Sequence, residues 1–113
     1  MGRPRGGQPE ADRHDALTLS ENAEFARLVR SFVEGLPAYR TELGDAMSGQ
    51  QWDKAKSVAH ILKGMGGSFG YPSVTQLAGK LEAALINLDM DNLETLYTKL
   101  HHEIDRVCIE AEL

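Results

Sequence analysis

The chain has 113 residues, 42% of them hydrophobic, which is the size and apolar content of one soluble domain and leaves little room for a multidomain enzyme with its own cofactor-binding half. Aromatic residues make up only 6%, so the core must be built from Leu, Val, Ile, Ala and Met; the single cysteine, Cys108, cannot form an internal disulfide or supply a Cys-rich zinc site. A net charge of -5 argues against non-specific nucleic-acid binding, although a total can hide a local patch of opposite sign.

No stretch reaches the roughly 18 to 20 apolar residues that span a bilayer, and Met1 to Pro9 has no apolar core for secretion. A Met-Gly start would suit N-myristoylation, but that signal needs Ser or Thr at position 6, where this chain has Gly6. With one cysteine and no export signal, the expected setting is the reducing cytoplasm, without direct membrane insertion.

Residues 1–18 are rich in Gly, Pro and Arg and are expected to be a flexible leader or linker. Its charges cancel, so the whole net charge belongs to residues 19–113. From Ser20 onward apolar residues recur at helical spacing with no long period-2 alternation, which predicts an all-α domain. The first pattern carries Phe25, Leu28, Val29, Phe32 and Leu36 and resumes with Leu43, Ala46 and Met47. Pro37 interrupts it and predicts a kink or a break into two helices. Gly49 is the expected C-terminal stop.

A second helix is expected from about Gln51 to Phe69, ending at Gly70. Pro72 and Ser73 open a third, with Ser73 and Gln76 at capping-box spacing and a stripe of Val74, Leu77, Ala78, Leu81, Leu85 and Leu88. Asp91 and Glu94 repeat that spacing for a fourth, which buries Leu93, Leu96, Tyr97, Leu100, Ile104 and Val107. Short connections between the last three helices predict an antiparallel four-helix bundle with a kinked or broken first helix.

The second helix carries a face that bundle packing does not explain. At 100° per residue Ala55, Val58, Ala59, Leu62, Gly66 and Phe69 share one direction, and His60 points roughly opposite, to water. Asp53, Lys56, Gly64 and Gly67 share the outer stripe, and Lys63 lies beside it one turn beyond the histidine. Three glycines within four positions, Gly64, Gly66 and Gly67, cost about 2 to 3 kcal/mol of helix stability together. Gly66 lies on the core side, where it lets a neighbouring helix approach. Gly64 and Gly67 face outward and strip bulk from the surface beside His60, leaving the imidazole open to a large partner. From Gln50 to Phe69 the helix is +2, so the rest of the domain is -7. A basic patch around a histidine suits a phosphoryl group or a partner with an acidic pocket.

The run Ala59-His60-Ile61-Leu62-Lys63-Gly64-Met65-Gly66-Gly67-Ser68-Phe69-Gly70, followed by Leu77, Leu81 and Glu82, resembles the signature of histidine-containing phosphotransfer (HPt) domains of bacterial phosphorelays. The resemblance spans about residues 51–85. It implies a phosphocarrier in which His60 accepts a phosphoryl group from a receiver-domain aspartate and passes it to another receiver. Lys63 matches the phosphate-stabilising lysine, Gly64 the small residue that leaves the imidazole open, and Gly67 a further small position. Glu82 matches a polar position near the histidine, and Gln76 borders the expected site, as does Lys56 on the docking face. The implied partners are receiver domains of response regulators or a hybrid sensor kinase, met by a monomer that holds no metal or cofactor, with magnesium on the receiver. The chain would be either a free-standing carrier or the cytoplasmic module of such a kinase.

The competing reading is a plain helical adaptor or docking module whose His60 is incidental. His101 and His102 point about 100° apart and cannot easily chelate one ion, so both read as solvated surface residues. His14 falls in the leader, Cys108 reads as half-buried, and Trp52 as packing on the end of the bundle.

Overall fold

The computed structural model describes residues 7–112, with side chains described from residue 21 to 111. Four helices make up the described chain: α1 (Gly7–Ser48), α2 (Trp52–Ser68), α3 (Pro72–Asn87) and α4 (Met90–Glu112). Connections of two or three residues join them, and such short links make each helix run antiparallel to the one before it. This is the all-α four-helix bundle expected from the hydrophobic pattern. Among the described residues no helix is long and apolar enough to cross a membrane.

The chain falls into two units divided between Ser31 and Phe32. In the first, residues 1–6 of the expected leader lie outside the described residues, as does the side chain of His14. From Gly7 the backbone is helical, ahead of the start expected near Ser20. Pro9 stands in the first turn, where its missing N–H costs nothing, and residues 10–19 contain no further Gly or Pro. Phe25 and Leu28, which the apolar stripe includes, are about half exposed.

The second unit holds the core. Phe32, Leu36, Leu43 and Ala46 of α1 are buried, as are Ala55, Val58, Ala59 and Leu62 of α2, Val74, Ala78, Leu81 and Leu85 of α3, and Leu93, Leu100, Ile104 and Val107 of α4. The Phe32 ring lies 5.4 Å from Phe69 and 5.6 Å from Tyr71, so α1 closes over the α2–α3 connection. Arg40 of α1 pairs with Asp105 of α4, whose other oxygen lies 3.4 Å from His101 Nε2. His101 is thus half-buried between Asp105 and Tyr97 rather than fully solvated, and Cys108 is half-buried as expected.

Of the two outcomes expected at Pro37, the break does not occur, since α1 runs through it. An interior proline costs about 3 kcal/mol, whereas fully burying one leucine gains roughly 1.5 to 3 kcal/mol. Leu36 and Leu43 on either side are both fully buried, which outweighs the loss. The Thr41 hydroxyl donates to the Pro37 carbonyl at 3.0 Å.

The helix ends differ from the sequence reading in four places. Gln50, not Gly49, adopts the left-handed conformation after α1 (φ 55°), with Gln51 N–H bonded to the Ala46 carbonyl at 2.8 Å and Gln50 N–H to Met47 at 3.2 Å. The same pattern closes α2 at Gly70 (φ 85°), as expected, and closes α3 at Leu88 (φ 51°). Leu88 therefore leaves the apolar stripe and is 57% exposed. Neither expected capping box forms. Tyr71 precedes α3 and its carbonyl receives Val74 and Thr75 N–H, because Pro72 is preorganised for the first helical position and draws Ser73 inside. At α4 the corresponding residue is Asp89, whose carbonyl receives Asn92 and Leu93 N–H and whose carboxylate accepts from Asn92 Nδ2 at 2.8 Å; Asp91 lies within the first turn.

Gln50→Gly is expected to stabilise the protein by about 0.5 to 1 kcal/mol in urea unfolding, because glycine relieves the left-handed backbone. Gly66→Ala is expected to destabilise it by about 1 to 3 kcal/mol, since the new Cβ would lie 2.6 Å from Thr75 Oγ1 and 3.0 Å from Thr75 N.

Candidate functional site

All the residues of the site belong to α2 and α3 within the second unit. Burial of Ala55, Val58, Ala59 and Leu62 fixes the rotation of α2 and turns His60 outward, with 68% of its side chain exposed. Exposed does not mean unsupported. His60 Nδ1 lies 2.8 Å from Glu82 Oε2, and Lys63 Nζ lies 3.1 Å from the same carboxylate's Oε1. One glutamate from α3 thus holds the imidazole with one oxygen and the ammonium with the other.

The chemistry of the donors assigns the proton. An ionised carboxylate only accepts, so the hydrogen bond places N–H at Nδ1 and leaves the lone pair of the neutral ring on Nε2. The Glu82 side chain is only 13% exposed. Burial alone would raise its pKa, but hydrogen bonds from Lys63 and then His60, with their charges, outweigh it and hold the carboxyl below its ordinary value. Glu82 is therefore a charged acceptor at neutral pH.

The α2–α3 crossing sets these distances. Gly66 is the contact point where the backbones approach too closely for a side chain. Beside it the Thr75 hydroxyl donates to the Lys63 carbonyl at 2.9 Å, tying the two helices together one turn past the histidine. A Cβ on Gly79 would lie 3.2 Å from Lys63 Cδ, so that glycine gives the lysine stem its path to Glu82. Thr75, Gly79 and Glu82 stand at i, i+4 and i+7, one stripe of α3 facing α2.

Thr75 and Gly79 are the residues that sequence reasoning missed. Counting back from Glu82 by three and seven would have found them.

Gly64 is exposed, with nothing within 4 Å of where its Cβ would be, and Gly67 is exposed with only ordinary contacts to Thr75. Lys56 is half-buried, with Nζ 3.8 Å from Asp53. With Ser57, Ile61 and Ile86 it borders the shallow depression that holds His60 and Glu82. Gln76 is exposed and stands about 120° around α3 from Glu82. None of the hydrogen bonds described at the site reaches it.

The family model described as Hpt domain matches residues 27–109, well over half of the chain and every residue of this site. No curated protein and no solved structure matches it. Hpt domains act as phosphocarriers in histidine phosphotransfer and interact with the receiver domains of two-component systems. The length and position of that match, over a four-helix bundle with a supported and exposed histidine, mean that the chain belongs to the Hpt domain family.

Proposed function

We propose that His60 takes a phosphoryl group from the aspartate of one receiver domain and delivers it to the aspartate of another, and that the chain neither binds nor hydrolyses ATP. The observation that carries this reading is the single Glu82 carboxylate bonded to both His60 Nδ1 and Lys63 Nζ. An incidental surface histidine has no need of a fixed tautomer.

Nε2 attacks the phosphorus of the aspartyl phosphate in line with its carboxylate oxygen. The N–P bond forms as the P–O bond breaks, and the electron pair returns to the aspartate. The ring keeps its Nδ1 proton throughout and becomes cationic. Glu82, already ionised, stabilises that charge by accepting the Nδ1–H bond. Lys63 lies on nearly the same face and neutralises charge on the phosphoryl oxygens. In the second transfer the receiving aspartate attacks phosphorus and the N–P electrons return to Nε2, so no proton need leave the site. The magnesium ion and acidic cluster that complete the chemistry belong to the receiver. Gly64 and Gly67 let the partner's backbone reach the ring.

Incubation with a phosphorylated receiver should place acid-labile, alkali-stable label on the wild type and none on His60→Gln; undiminished labelling of that variant would overturn the assignment. Gly64→Gln should slow transfer at least tenfold while leaving the fold equally stable or up to about 1 kcal/mol more stable, because an open helical position gains propensity and loses access.

Glu82→Gln should slow transfer by about tenfold, read by quench-flow, with unchanged receiver affinity. Its effect on stability should depend on pH. The unfolded carboxyl titrates near 4.5 and the folded one lower, so the charged bridge stabilises the protein above 4.5 and that contribution is lost as pH falls through the folded value. The stability gap between wild type and Glu82→Gln should therefore be largest near neutrality and close in acid.

A further inference from the structure

The depression around His60 does not end at the histidine. Lys56 and Ile86, which border it, also border a second groove between the start of α2 and the end of α3, walled by Trp52, Leu85, Leu88 and Lys54. Ile86 is 59% and Leu88 57% exposed, and Trp52 is half-buried with one side open to the groove. Leu88 holds a left-handed backbone that leucine rarely adopts and glycine adopts freely. At an exposed helix end, stability alone would favour glycine, so the leucine side chain is retained at a local cost.

Trp52 lies eight residues before His60, about 12 Å along α2. A specific interface covers about 800 Å² on each partner, a patch of about 16 Å radius, so a receiver centred on His60 also covers the groove. Tryptophan is among the residues that most often anchor such interfaces. Lys54 is exposed without an ion pair among the described residues, whereas Lys56 and Asp53, 3.8 Å apart, also line the groove, so the rim carries two positive charges against one negative beside the apolar Trp52, Leu85, Ile86 and Leu88.

We infer that the Trp52–Leu88 groove is a docking subsite for the receiver domain that engages His60, and that it takes an apolar side chain flanked by carboxylates. This rests on the phosphotransfer reading above. It adds a specificity-determining contact distant from the reacting atoms, complementary in sign to an acidic partner.

Trp52 is the only tryptophan in the chain, so it reports on its own groove. A receiver domain that exchanges phosphoryl groups with the wild type, made tryptophan-free by Trp→Phe replacement where needed, is titrated into the His60→Gln protein while emission is followed. Docking should shift and saturate the Trp52 emission. In transfer assays Leu88→Asn, which keeps a residue tolerant of the left-handed backbone, and Lys54→Glu should each raise KM for the phosphorylated receiver about tenfold with kcat unchanged. Labelling by the small phosphodonor phosphoramidate should not change.

A receiver that transfers normally while Trp52 emission is unmoved and both variants keep KM within twofold overturns the subsite and leaves His60 as the carrier. An emission shift that follows this protein's own concentration, with a dimer in sedimentation, also overturns it and assigns the groove to self-association. Failure of every receiver to label His60 overturns the phosphotransfer reading and this inference with it.

Discussion

A single carboxylate shared between a ring nitrogen and an ammonium is the interaction on which the site depends. Glu82 is nearly covered, and a charge in that position is tolerable only because both of its oxygens are engaged. Removing either partner would leave a poorly solvated charge, and removing the glutamate would leave the ring free to change tautomer. The three side chains are therefore better regarded as one unit than as a histidine with neighbours. Their geometry is inherited from the backbone. Gly66 sets how closely α2 and α3 approach, Thr75 ties the Lys63 carbonyl across the gap, and Gly79 leaves the channel along which the lysine stem runs.

The glycines of this region thus divide into two kinds. Gly66 and Gly79 are required from inside, by atoms that would collide with or crowd a Cβ. Gly64 meets nothing at all, and Gly67 meets only ordinary contact. No contact inside the bundle requires them, and the proposed function accounts for their cost to helix stability by the access they give a partner. On the other side of His60 the surface changes character, from bare backbone to exposed Ile86, Leu88 and the tryptophan edge. The histidine sits at the boundary between the two surfaces, and under the proposed docking that asymmetry gives an incoming domain an orientation.

Much of this was legible in the residues alone. Period-3.6 patterning located all four helices because each buries one stripe, and the outward turn of His60 followed from the same count. Helix ends were less legible. Gln50 and Leu88 occupy left-handed positions that local chemistry assigns to glycine, and Pro72 overrode the Ser73 cap by starting α3 one residue earlier. Pro37 reads as an interruption because its local cost is visible in sequence, while the offsetting burial of Leu36 and Leu43 is a property of the assembled core. At the site, the pairing of Lys63 with Glu82 joins two helices, so its register depends on where the chain turns at Gly70. Gln76, named from its position in the chain, is exposed about 120° around α3 from Glu82.

The proposed mechanism starts from a neutral ring beside one positive lysine and one negative glutamate, a triad that sums to zero. With the proposed chemistry, loading adds a dianionic phosphoryl group and converts the ring to a cation, so the loaded surface differs from the empty one by a net negative charge. A partner whose own pocket becomes more or less negative as it gives or takes that group would therefore meet two electrostatically different carriers. Under that proposal the charge at the Glu82 bridge itself distinguishes the loaded carrier from the empty one.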